Sequence, residues 1–182
     1  MKSNNSITMN WTQLRHDNWS VYIAATEQGL CYVGSQDKPL TELEDWVQAK
    51  FPGCELVKND EAMQSYAAEM VEYFQGKRDR FELAMDYKGT AFQMAVWNAL
   101  CQIPYGQTFT YSDIANQIGK PGAVRAVGAA IGANPLLITV PCHRVIGKSG
   151  ALTGYRGGLA MKTRLLELEG ERARMRESMK YA

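Results

Sequence analysis

The stretch Pro141-Cys142-His143-Arg144-Val145 sets a cysteine beside a histidine, directly after the apolar run Leu136-Leu137-Ile138-Thr139-Val140 and just before the turn-forming Gly147-Lys148-Ser149-Gly150. A short run of branched apolar residues bounded by turn signals predicts a buried strand, with Cys142 presented at its end. The thiolate is the reactive form of cysteine, and a neighbouring imidazole or cation lowers a thiol pKa enough to populate it near neutrality. His143 and Arg144 are both candidates for that role. In a pleated strand, however, adjacent side chains point to opposite faces, so a link between Cys142 and His143 has to run through a turn or a bridging water. The plainer reading of an arbitrary Cys-His pair is a small buried hydrophobe next to a satisfied surface histidine. The surroundings of the motif weigh on that choice.

The chain has 182 residues, 46% of them hydrophobic and 21% charged, an ordinary globular composition with room for one large domain or two small ones. No stretch approaches the roughly 20 apolar residues of a membrane span. The polar start, residues 1–10, lacks the apolar segment of a signal peptide. The expectation is a soluble cytoplasmic protein that does not engage a membrane. Cys31, Cys54, Cys101 and Cys142 are scattered without any CxxC spacing, so neither a disulfide framework nor a typical zinc site is written into the sequence. With His16 and His143 as the only histidines, neither a metal centre nor a cofactor is expected.

The net charge of +1 hides an uneven distribution. Residues 1–113 hold nine Lys or Arg against fifteen Asp or Glu, whereas residues 114–166 hold seven basic residues and no acidic one. Lys120, Arg125, Arg144, Lys148, Arg156, Lys162 and Arg164 thus surround the Cys142 motif, a pattern that favours a polyanion such as a phosphate backbone. An ordinary solvated surface is the alternative, and the complete absence of acids argues against it.

The N-terminal half reads as a small α+β unit. Residues 19–26 and 30–34 are rich in β-branched and aromatic residues, with Glu27-Gln28-Gly29 between them as a hairpin turn. A helical pattern opens at Thr41 and runs through Trp46, Val47 and Phe51 to Pro52-Gly53, and a short strand is expected over residues 54–57. Residues 61–76 carry a helical stripe of Met63, Tyr66, Ala67, Met70, Val71 and Phe74. Cys31 and Tyr32 are most simply core residues. Nothing in this half looks catalytic.

A boundary is placed near residues 85–90, where the pattern turns helical. Thr90 caps a predicted helix with Phe92, Val96, Leu100 and Ile103 on one side, ended by Pro104-Tyr105-Gly106. After the extended piece Phe109-Thr110-Tyr111, a helix starting at Ser112 or Tyr111 contains Ile114, Ala115 and Ile118, and Gly119-Lys120-Pro121-Gly122 breaks it. A second helix, residues 123–131, follows at once. Two short helices joined by a tight turn outline a helix-turn-helix, whose second helix enters a nucleic-acid groove. That helix is mostly Ala, Val and Gly, so it offers few donors to base edges and predicts little sequence preference. Plain core packing is the other reading of such a pair.

Pro141-Cys142-His143-Arg144-Val145-Ile146-Gly147 resembles the active-site signature of the O6-alkylguanine-DNA alkyltransferases, which transfer an alkyl lesion from guanine to their own cysteine. The similarity extends over the second half: Tyr111-Ser112-Asp113-Ile114-Ala115, Ala123-Val124-Arg125-Ala126-Val127-Gly128, Asn134-Pro135, Gly154-Tyr155-Arg156-Gly157-Gly158-Leu159 and Leu165-Leu166-Glu167-Leu168-Glu169-Gly170. The first half resembles the family's variable N-terminal domain only in outline. The resemblance implies an α+β fold: a small N-terminal α/β domain with a ribonuclease-H-like hairpin sheet and helices, residues 1–86, followed by a mostly helical, winged-helix-like DNA-binding domain, residues 87–182.

It further implies direct repair of O6-methylguanine, and of O4-methylthymine, in double-stranded DNA by a monomer that acts once. In the family the cysteine, here Cys142, accepts the alkyl group. The motif histidine, His143, deprotonates it through a water and is held by a glutamate of the last helix, here Glu169 rather than Glu167. Arg125 matches the arginine that fills the gap left by a flipped base, with a simple phosphate contact as the alternative. Ala123 and Ala126 flank it on the DNA face, to which Arg144 is also assigned. Tyr111 matches the tyrosine that hydrogen-bonds the flipped base, with an interior aromatic as the alternative, and Asn134 matches an asparagine bracing the cysteine segment. Val145, Tyr155, Arg156 and Gly157 are expected around the base, where glycine allows close backbone approach. Arg156 stands where relatives often carry a small residue; the family uses that residue's backbone N–H toward O6, and the longer side chain here is expected to narrow the pocket or add a phosphate contact. A turnover Cys-His hydrolase and a non-catalytic DNA-binding module are the competing classes.

Overall fold

Tyrosine, tryptophan and β-branched residues pair as the sequence predicts in a computed structural model that describes residues 6–181, so that residues 1–5 of the polar start lie outside the described residues. Strand β2 (Trp19–Thr26) lies antiparallel to β3 (Gly29–Val33). Gly29 sits at φ 147°, and a Cβ there would come within 2.6 Å of the Ala84 carbonyl oxygen, so only glycine admits the neighbouring chain. A strand not read in the sequence, β1 (Thr8–His16), pairs antiparallel with β2 and parallel with β4 (Glu55–Lys58), giving the order β3-β2-β1-β4. Its buried residues switch parity, Met9 toward one face and Thr12 and Leu14 toward the other. Because both faces of the sheet are covered, the strand shows no simple alternation.

One face carries α1 (Thr41–Lys50), whose Leu43 and Val47 pack with Met9, Ala24, Cys31 and Tyr32. Cys31 and Tyr32 are core residues, as expected. The other face carries α2 (Gln64–Phe74), where Phe74 stacks on Trp19 at 4.5 Å between centroids. This second core runs on without interruption into the C-terminal half, through Val96, Trp97, Ile114, Val127, Leu136, Cys142 and Leu165.

In that half α3 (Ala91–Leu100) opens with a capping box between Thr90 and Gln93. Helix α4 (Tyr111–Gln117) follows the short β5 (Phe109–Thr110), and a second capping box, Thr110 with Asp113, places its start at Tyr111 rather than Ser112. Helix α5 (Val124–Gly132) comes after a tight turn. Strand β6 (Val145–Ile146) pairs with β5 in parallel, and α6 (Leu159–Lys180) closes the chain. The fold is α+β, a small sheet unit followed by a mostly helical one, as expected.

The strand predicted over residues 136–140 does not form. All five residues are buried, but the backbone coils: Val140 N donates to the Leu136 carbonyl at 3.1 Å, and Ile138 takes φ 70°. Only Leu136 bridges to a strand, at Val33. Apolar content reports burial, not extension. Here Pro135 and Pro141 have no N–H to give to a ladder, and the Asn134 amide captures the Leu136 and Val140 carbonyls at 3.1 Å each. Cys142 therefore opens a 3-10 turn, Cys142–Arg144, not a strand end.

Candidate active site

Asn134 follows α5 directly and is 1% exposed. Its carboxamide oxygen accepts from Leu136 N at 2.9 Å and its nitrogen reaches the Cys142 sulfur at 3.2 Å, so one side chain both folds the loop and holds the thiol. Burial pushes the Cys142 thiol pKa up; the Asn134 contact and the nearby Arg156 and Lys162 cations oppose that shift without cancelling it. Deprotonation therefore requires a base.

His143, fully buried, lies in the same turn. Its Nε2 is 2.7 Å from Glu169 Oε1, while Nδ1 is buried with no protein partner. Burial lowers the imidazole pKa against the raising effect of Glu169, so the ring is neutral near pH 7. An ionised carboxylate at Nε2 fixes the proton there and leaves the lone pair on Nδ1. Among the described residues no direct side-chain hydrogen bond joins Cys142 to His143, although the strand geometry that argued for an indirect link is absent. Glu169 is buried and Glu167 exposed on α6, which separates the two glutamates as expected.

Arg144 corrects the expectation of a DNA contact. It is 6% exposed and turned inward, with Nε and one terminal nitrogen on Glu169 at 2.9 and 2.8 Å and the other on the Ile103 carbonyl at 2.7 Å. A guanidinium bound on all sides by interior acceptors has nothing left for a phosphate. It serves instead as the counter-charge of Glu169.

The Arg156 side chain also takes carbonyl partners. Its guanidinium donates to the Asn134, Pro135 and Val33 carbonyls at 3.0, 3.1 and 2.8 Å, and lies over Tyr32. The side chain ties the loop to the N-terminal sheet. Lys162 is fully buried and donates to the Val145 and Thr153 carbonyls at 2.6 and 2.8 Å, and Arg164 lies 3.8 Å over Trp19. Of the seven cations read as a patch, only Lys120, Arg125 and Lys148 are exposed.

The remaining assignments meet around the loop after β6. Tyr111, first residue of α4, accepts a hydrogen bond from the Thr153 hydroxyl at 3.2 Å, and a Cβ on Gly128 of α5 would lie 3.9 Å from its ring. Val145 is buried, and the Tyr155 phenol oxygen is sheltered without a partner. At Gly157 a Cβ would fall 2.5 Å from Met161 Sδ and 2.7 Å from the Tyr155 ring, so the loop closes only with glycine there. On α5, Arg125 and Ala126 are exposed and Ala123 is half-buried.

Two residues at the site were not identified from the sequence. Lys162 was read as part of the surface patch. Tyr73 of α2, whose hydroxyl donates to Glu169 Oε1 at 2.7 Å, lies in the half that held no catalytic signal. Its position beside Phe74 in an aromatic helix end reads as core, and only the fold joins it to a residue 96 positions away.

Comparison with known proteins agrees with this geometry. The family description "6-O-methylguanine DNA methyltransferase, ribonuclease-like domain" matches residues 11–87, and the "DNA binding domain" of the same name matches residues 91–171. An inducible methylated-DNA–protein-cysteine methyltransferase of Bacillus subtilis is 61% identical over 91% of this chain and 92% of its own length. A methylated-DNA–protein-cysteine methyltransferase of Methanosarcina acetivorans is 45% identical over 82% of this chain and 91% of its own. A crystal structure of Mycobacterium tuberculosis OGT in complex with DNA superposes with a TM-score of 0.75 at 36% identity, covering 91% of this chain and 94% of that one. With both halves matched in order and a relative this similar over nearly its whole length, the chain belongs to the 6-O-methylguanine DNA methyltransferase family.

Proposed function

We propose that this protein repairs double-stranded DNA directly, moving the methyl group of O6-methylguanine, and of O4-methylthymine, onto its own Cys142 once per molecule. It acts as a cytoplasmic monomer in which residues 87–182 bind DNA and carry out the transfer and residues 1–86 support them. No helix among the described residues is long and apolar enough to cross a membrane. The observation that carries the reading is the buried set of a thiol held by Asn134 and a neutral imidazole whose free nitrogen is its Nδ1, oriented by an ionised glutamate. This is a nucleophile, base and orienter in the arrangement that group transfer requires.

The chemistry follows from the protonation states. The Cys142 proton passes through a bridging water to His143 Nδ1, and Glu169 stabilises the imidazolium. The sulfur attacks the methyl carbon; the S–C bond forms as the C–O6 bond breaks, and the bonding pair moves onto the guanine oxygen. Tyr111 hydrogen-bonds the departing base and shares the charge that develops there. The product is a thioether, which this site has no means to hydrolyse, so the protein is consumed.

The reacting carbon lies inside a duplex, so the nucleotide has to be flipped out at a cost of roughly a few kcal/mol. The small residues Ala123 and Ala126 let α5 lie close to the minor groove, and the exposed Arg125 fills the vacated stack. Lys120 and Lys148 are the other exposed cations for the phosphates. The test is an intact-mass spectrum after incubation with O6-methylguanine duplex: one methyl on Cys142, with no further product on longer incubation. Steady turnover points instead to a hydrolase, and an unmodified protein bound to duplex to a binding module.

Arg125→Ala separates flipping from phosphate binding. At saturating duplex the transfer rate is expected to fall much further than the rate with free O6-benzylguanine, which needs no flipping, and Arg125→Lys is expected to rescue little because planarity and size matter as well as charge. Equal losses on both substrates would make Arg125 a structural residue.

A further inference from the structure

The buried carboxylate of Glu169 holds more donors than a base orienter needs. Its Oε1 receives His143 Nε2 at 2.7 Å, an Arg144 terminal nitrogen at 2.8 Å and the Tyr73 hydroxyl at 2.7 Å, while Oε2 receives Arg144 Nε at 2.9 Å. A carboxylate oxygen has two lone-pair sites, so three donors on Oε1 compete for the same electron density. Tyr73 alone comes from the N-terminal unit. It is fully buried, set edge-on against Phe74 and Tyr105 and tilted against Phe81 with centroids 5.8, 6.2 and 5.4 Å away. Burial, then the Glu169 charge, raises the phenol pKa well above 10, so Tyr73 stays protonated and donates to Glu169.

We propose that Tyr73 is a positioning residue for the transfer step: its hydrogen bond to Glu169 Oε1 limits how strongly that carboxylate draws on His143, so the N-terminal sheet unit tunes the base that deprotonates Cys142. This rests on the reading of Cys142 as alkyl acceptor. Without the phenol, more of the Oε1 charge falls on the Nε2 proton, the imidazolium is stabilised, and His143 loses its proton at higher pH. The other groups facing the pair stay in place. Arg144 from the 3-10 turn and Lys162 from α6 hold the imidazole pKa down, and Arg172 and Arg176 of α6 face Tyr105 on the outer side of the aromatic cluster. A tyrosine that merely fills the core with a satisfied hydroxyl predicts something different: a loss of stability with no change in how the rate depends on pH.

The test is Tyr73→Phe, which removes one oxygen, read as the single-turnover transfer rate against pH at saturating O6-methylguanine duplex. The acidic limb is expected to move up by roughly one pH unit, because a donor to a charged group is lost. Below the wild-type limb that is a slowing on the order of tenfold, while the alkaline plateau is kept. Histidine-labelled protein gives the same answer without DNA. The sequence holds two histidines, and NMR should show the His143 titration moving up. Should Tyr73→Phe fail to fold, 3-fluorotyrosine placed at position 73 keeps the shape with a stronger donor, and both readouts should move to lower pH. An unmoved limb, a rate scaled equally at every pH, or an unmoved His143 titration overturns the inference. A wild-type protein that gains no methyl on Cys142 overturns the transfer reading instead, and the His143 titration then still decides the role of Tyr73.

Discussion

Cys142→Ala is expected to abolish methyl transfer while leaving duplex affinity unchanged. The Cys142 thiolate is the nucleophile in the proposed step, and alanine offers no atom to take its place. The substitution removes no exposed cation, so the salt dependence of DNA binding, which counts phosphate contacts, should match the wild type. Folding is affected only modestly. The thiol is one small buried group, worth about 1 kcal/mol in lost packing, and the Asn134 amide keeps its two backbone carbonyls. The measurements are the intact mass after exposure to lesion-containing duplex and a binding titration at several salt concentrations. Any methyl gained by the variant places the acceptor elsewhere in the chain.

Glu169→Gln is expected to produce the largest loss of stability together with a large loss of transfer rate. The carboxylate is the counter-charge of a buried guanidinium, and breaking such a pair from one side costs about 3–5 kcal/mol because the partner is left uncompensated. For a chain of this size that corresponds to a fall in Tm on the order of 10 °C. Adding Arg144→Met removes the stranded cation and should recover part of the stability without restoring transfer, since His143 still lacks the anion that stabilises its charged form. Thermal unfolding of the two variants beside their transfer rates tests this, and a double variant no more stable than Glu169→Gln would refute the pairing. The pH dependence has a definite sign. Burial works to raise the Glu169 pKa, yet the donors from His143 and Arg144 hold it well below its ordinary value of 4.5. The unfolded chain therefore binds the extra proton first, so this contribution is complete above about pH 4.5 and is lost progressively as the pH falls. That share of the acid sensitivity should be missing from Glu169→Gln.

The local chemistry of the chain was legible in its residues. The hairpin, the capped start of α3, the paired α4 and α5 and the Cys142-His143 motif each follow from periodicity, turn chemistry or capping, which act over a few residues and leave their mark in sequence. The motif resemblance added Glu169, Asn134 and Tyr111, and the fold brings the first two onto the Cys142 turn and Tyr111 onto the loop that follows. What sequence could not decide was where charge and backbone go once two units share one core. Seven cations in an acid-free stretch look alike as letters, yet burial sends Arg144 and Lys162 to interior acceptors and Arg156 to the N-terminal sheet, because a charge excluded from water must find partners and the nearest are carbonyls and Glu169. The run over residues 136–140 is equally apolar as a strand or a coil; two flanking prolines and the Asn134 amide chose the coil. Tyr73 joined the site for the same reason. Its ring is buried among Phe74, Phe81 and Tyr105, and a buried donor takes whatever acceptor the tertiary structure places beside it, here Glu169.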